Sequence, residues 1–174
     1  MFRPLLTVAA SLAMTACATD SDMASDTGPA AMDMTPTQRD AYVEMAAASD
    51  LYEIQSGQLA QSRAQNPAIR EFAQMLVDHH TQTTQQLTAA ATAAGSPPTP
   101  NLMPMQARMI TELQGASGAS FDRLFLQQQV QAHNMALALH SNYARNGDAP
   151  SLRAVATAAT PIVQKHLDRA RQLD

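Results

Sequence analysis

Five histidines punctuate a chain otherwise rich in alanine, leucine, glutamine and threonine: His79, His80, His133, His140 and His166. A neutral imidazole offers one nitrogen lone pair to zinc, copper or iron, while a hydrogen bond to its other nitrogen orients the ring. Two acids upstream, Asp50 and Glu53, are three residues apart, which puts them on neighbouring positions of one helix face. The adjacent pair in "VDHHTQTTQQL" poses the first question, because neighbours on a helix cannot share a direction. At about 100° per residue, with Ile69 at zero, His80 falls at about 20°, amid Phe72, Ala73, Leu76 and Leu87. His79 falls at about 280°, on the shoulder of that apolar stripe. His80 is therefore expected inside and His79 at a rim.

The elements that position these residues follow from periodicity and turn chemistry. Thr35 to Gln38 reads as a helix start, and an apolar pattern runs from there to about Gln65. Asn66-Pro67 starts a second helix, which Gly95 and "SPPTPN" end. A short helix is expected from Met103 to Gln114, then a third long one from about Ser120 to Arg145. Asp148 would cap a fourth, from Pro150 to the C-terminus, with a kink at Pro161. The fold class is all-α: an antiparallel four-helix bundle, with the short helix in the connection between helices two and three.

Each long helix then carries an acid or imidazole on its apolar side: Asp50 and Glu53, His80, Asp122 with His133 and His140, and His166. Counting from the turns places Glu53 and His80 at one depth and His133 with them. His166 is about four residues, or roughly 6 Å, out of register. His140 is about 10 Å from His133 along its helix and belongs to another layer. Glu53, His80, His133 and His166 thus form a candidate site for one divalent ion (zinc, iron or copper), with Asp50, Asp122, His79 and His140 supporting it or at its rim. The same four groups equally make a metal-free polar cluster that fixes the packing of the core.

Catalysis is disfavoured. A di-iron carboxylate centre needs about four carboxylates and paired Glu-x-x-His motifs, and this sequence has no Glu-x-x-His. The only cysteine, Cys17, lies at the N-terminal end, and no serine stands in a nucleophile-elbow context. With formal charge −4 and no basic stripe, nucleic-acid binding is excluded as an expectation.

The N-terminus has a targeting layout: Arg3, an apolar stretch from Leu5, then small residues ahead of Cys17. Residues 1–16 read as a lipoprotein signal peptide, Cys17 as the lipidated residue, 17–36 as a flexible tether and 37–174 as the domain. Ala18 after Cys17 points to the outer membrane, with the domain facing the periplasm; a secreted or soluble periplasmic protein is the alternative. Met32 and Met34 in the tether offer thioethers to Cu(I), though two such residues in a linker are weak ligands.

Three segments carry a likeness: "SDLYEIQSGQLAQSRAQNPAIREFAQMLVDHH", "SFDRLFLQQQVQAHNMALAL" and "LRAVATAATPIVQKHL". In order and spacing they resemble the bacterial domain of unknown function 4142, a family labelled as outer-membrane or exported proteins. The resemblance covers about residues 37–173 and implies a ferritin-like helical bundle. It carries the family's recurrent positions onto Glu53, His80, Phe121-Asp122, His133 and His166, and this chain has His79 where the family usually has aspartate. Two functions stay open: an envelope lipoprotein holding a metal in its core, or a non-catalytic, stress-related interaction protein without one.

Overall fold

The computed structural model describes residues 35–174. The expected signal peptide, Cys17, Met32, Met34 and nearly all of the tether lie outside the described residues. Within them are five helices and no strand: α1 (Arg39–Arg63), α2 (Pro67–Ala93), α3 (Pro104–Gly115), α4 (Gly118–Asn146) and α5 (Pro150–Leu173). None is long and apolar enough to cross a membrane.

Local chemistry explains the boundaries. The Asn66 side chain accepts from Ala68 N at 2.9 Å and Pro67 opens α2, so a three-residue turn reverses the chain. Gly95, at φ 76°, stops α2, where a left-handed residue is needed to satisfy its last carbonyls. Two expected caps are displaced. α1 begins at Arg39 with Gln38 as its cap residue, because Thr37 O is taken by Asp148 N (2.9 Å) and Pro36 O by Asn142 (3.2 Å). Asp148 does not cap α5 either; its carboxylate accepts from the Tyr143 hydroxyl at 2.8 Å, and Ala149 takes the cap position. α5 continues through Pro161, which lies on its exposed side.

α1 packs on α2 and α4, and α5 packs on α4 and α2, so each long helix has two long neighbours. The short α3 lies against α1 and α4. Of three apolar clusters, two draw on all four long helices. One gathers Tyr42, Val43, Leu87, Leu139, Tyr143 and Leu152; the other gathers Ala60, Ile69, Phe72, Phe121, Phe125 and Ala170. On the long helices Asp50, Glu53, His80, His133 and His166 fall between the contributions to the two clusters, whereas Asp122 and His140 lie inside one cluster each. A polar layer is thus held between two apolar plugs.

The approach of α1 to α2 is close at Gly57. A Cβ there would lie 2.8 Å from Val77 Cγ2 and 3.1 Å from the Ala73 carbonyl oxygen. Val77 is stiff at χ1 and the other neighbour is backbone, so neither yields cheaply. Gly57→Val should destabilise the domain by about 2 kcal/mol, read as a lower urea midpoint at unchanged m.

Candidate metal centre

His80 comes from the middle of α2, His133 from α4 and His166 from α5. Their ring centroids are 5.9 Å apart for His80 and His133, and 5.3 Å for each pair with His166. The expected 6 Å offset of His166 does not occur. One nitrogen from each ring lies within 4.8 Å of the others, and all three residues are buried.

The hydrogen bonds say which nitrogens those can be. His80 Nδ1 is 2.8 Å from Asp50 Oδ1; a carboxylate only accepts, so Nδ1 carries the proton and Nε2 keeps its lone pair. His133 Nδ1 is 2.9 Å from the Gln129 carbonyl oxygen, which likewise leaves Nε2 with its lone pair. His166 Nε2 is 2.8 Å from His79 Nδ1, and donation from His166 leaves its Nδ1 free. The three nitrogens left over, His80 Nε2, His133 Nε2 and His166 Nδ1, are buried without a hydrogen-bond partner. Buried polar atoms are rarely left this way, and three together are costly unless something binds them.

Asp50 is itself held by the hydroxyls of Thr83 (3.0 Å) and Thr84 (3.3 Å). It acts through His80, in the outer position that orients a ligand ring. Gln129 is a residue that the sequence did not single out. Its backbone carbonyl turns out to orient His133, a role the i−4 spacing permits but side-chain patterns do not reveal. The half-buried His79 serves His166 in the same way and borders a cleft of about 520 Å³ between α2 and α5. Lys165, Arg169, Met75 and Ile162 line the rest of that cleft, which reaches His166 from solvent.

Glu53 is not part of the three-nitrogen group. It stands beside it, fully buried, with Oε1 3.7 Å from His133 Nδ1 and neither oxygen hydrogen-bonded. Desolvation pushes its pKa up to about 7, against the opposing charge of His80. Asp122 is elsewhere: its two oxygens accept from Gln65 N (3.0 Å) and Asn66 N (2.9 Å), tying the α1–α2 turn to α4. It is therefore no part of the centre. His140 departs from its expected place too, being buried rather than at the rim, with Nδ1 3.1 Å from the Tyr42 hydroxyl.

Electrostatics favour neutral rings. Desolvation, with the charge of His80, lowers His133 to about 3 and His166 to about 2, and desolvation lowers His140 to about 4. His80 is the exception. Burial alone would lower it, but the Asp50 hydrogen bond and the charges of Asp50 and Glu53 together raise it.

The family model described as "Domain of unknown function (DUF4142)" matches residues 24–173. The chain belongs to that family. No curated protein matches this DUF4142 chain. Among solved structures it is similar to CopM in a Cu(II)-bound form, with TM-score 0.66, 18% identity, and coverage of 78% of this chain and 94% of CopM. The Ag-bound form (TM-score 0.64, 19% identity, 78% and 93% covered) and the Cu(I)-bound form (0.63, 17%, 78% and 94%) are similar in the same way. At such identities the likeness is one of fold.

Proposed function

We propose that this DUF4142 domain is a copper-binding module of the cell envelope, holding one ion through His80 Nε2, His133 Nε2 and His166 Nδ1. The observation that carries the reading is the meeting of three buried imidazole nitrogens, each stripped of any other partner and each backed by a second hydrogen bond. Imidazole suits copper, zinc and iron alike. Copper is preferred because the CopM structures of similar fold hold copper or silver. Glu53, a buried carboxyl without a hydrogen bond, stands beside the triad and would supply negative charge once a bound cation displaces its proton. α1 and α5 run from the first apolar cluster to the second and α2 and α4 run the other way, so every packed pair of long helices is antiparallel, which supports a ferritin-like four-helix bundle. In this reading Cys17 carries the lipid, residues 17–36 tether the domain, and the bundle faces the periplasm from the outer membrane.

Electron paramagnetic resonance of the purified protein with one equivalent of Cu(II) tests the site. Nitrogen couplings from three imidazoles are expected, and the three-nitrogen pattern should be lost in His133→Ala. A Cu(II) spectrum identical in wild type and in a His80→Ala/His133→Ala/His166→Ala protein would discard the triad.

A further inference from the structure

A second cleft lies on another side of the molecule, between α1, α3 and α4, and its lining is unusual. Met45 of α1, Met103 just ahead of α3, Met105 and Met109 of α3, and Met135 of α4 all border it. Of the methionines among the described residues, only Met75 is elsewhere. The clustering draws on three separate stretches of chain, α1, α3 with its cap residue, and α4, so it is not a by-product of one amphipathic stripe. Met105 and Met109 are one helical turn apart and share a face. Met135 and His133 point about 160° apart around α4, so this cleft turns away from the imidazoles.

We propose that the cleft is a separate binding site for one soft monovalent cation, Cu(I) or Ag(I), held by thioether sulfurs. Three observations carry this. The space is about 20 Å³, enough for one water-sized occupant and too small for an organic ligand. Met45, Met103, Met105 and Met135 are half-buried rather than sealed, so an ion can reach the sulfurs from solvent. The lining has no charged side chain: Ser49, Gln106, Ala132 and Ala136 complete it. The Born cost of bringing an ion into such surroundings grows with the square of its charge, so a dication pays about four times what a monovalent ion does. Uncharged thioethers cannot offset that cost for a dication, whereas they are preferred ligands of Cu(I). The Met105 sulfur also accepts from the exposed Gln131 amide at 3.9 Å.

Silver avoids redox chemistry, so the test adds AgNO₃ in chloride-free buffer to the purified protein with ¹³C-labelled methionine methyls. One equivalent should move the methyl resonances of the five cleft methionines and leave Met75 in place. Met105→Leu/Met135→Leu preserves side-chain volume and so the fold, checked by circular dichroism, but should weaken silver binding at least ~10-fold. His80→Ala/His133→Ala should leave the cleft resonances responding as before, which separates this site from the imidazole triad. Unmoved cleft resonances, movement confined to Met23, Met32 and Met34, or wild-type affinity in the leucine variant would each overturn the proposal.

Discussion

Between pH 6.5 and pH 4.5 the metal-free protein should lose on the order of 5 kcal/mol of stability. The direction follows from which state binds more protons. His133, His140 and His166 have folded pKa values of about 3, 4 and 2, against 6.5 for the free side chain, with desolvation the first cause in each case. Below pH 6.5 the unfolded chain takes up three protons that the native state refuses. Each contributes stability at neutral pH that disappears as the pH falls. Glu53 works the other way: raised by desolvation from 4.5 to about 7, it is protonated in the native state and ionised in the unfolded one across this window. Its contribution is present below pH 4.5 and lost as the pH rises through 7. His80, shifted upward, is protonated in both states here and adds no slope until the pH exceeds 6.5. The net is two protons favouring the unfolded state, or about 3 kcal/mol per pH unit. Urea titrations of protein freed of metal by a chelator measure it directly. A midpoint that stays level or rises on acidification would mean the three rings are accessible to protons in the native state. Added copper should move the loss to lower pH, since its binding requires neutral imidazoles and competes with protonation.

Much of this architecture was legible in the chain. Asn66-Pro67, Gly95 and the 3.6-residue periodicity located the helices to within a few residues, because these signals are local. The same periodicity turned His80 inward and His79 to the shoulder, and the structure places their rings so. What was illegible depended on tertiary neighbours. Asp122 shares a stripe with His133, yet it is drawn to the two backbone N–H groups of the α1–α2 turn, which no wheel of α4 contains. His140 was expected at the rim, but Tyr42, 98 positions earlier, supplies a hydroxyl that lets it stay buried. Depth counting misplaced His166 because it counted on from Pro150 and back from Arg145 to His133, and such counts across one turn say nothing of the stagger between the two helices. The methionine cleft was hidden for a related reason: it needs α3 folded back over α1 and α4, and a short helix behind a long connection from α2 carries no sign of where it docks.

Asp50→Asn should weaken copper binding 10- to 100-fold while leaving the domain folded. Asp50 touches no proposed ligand position; its influence runs through the 2.8 Å bond to His80 Nδ1. A carboxylate can only accept, so it forces the proton onto Nδ1 and the lone pair onto Nε2, towards the other two rings. An amide at the same place offers N–H as well as C=O. Where the NH₂ faces the ring, Nδ1 must accept and Nε2 becomes a donor, which is the wrong tautomer for a ligand. Where the C=O faces the ring, the tautomer survives but the negative charge that makes His80 basic is gone. Either outcome costs affinity, and the Thr83 and Thr84 hydroxyls can still bond to the amide, so the core stays satisfied. A second reading separates positioning from a general loss of structure. Without Asp50, desolvation is left as the dominant influence on His80, so its pKa in the metal-free protein should fall below 6.5, seen by NMR titration of the ring. Unchanged copper affinity together with a lowered His80 pKa would show that His80 is a buried base and nothing more. Both shifts together would show a metal ligand held in one tautomer by the carboxylate behind it.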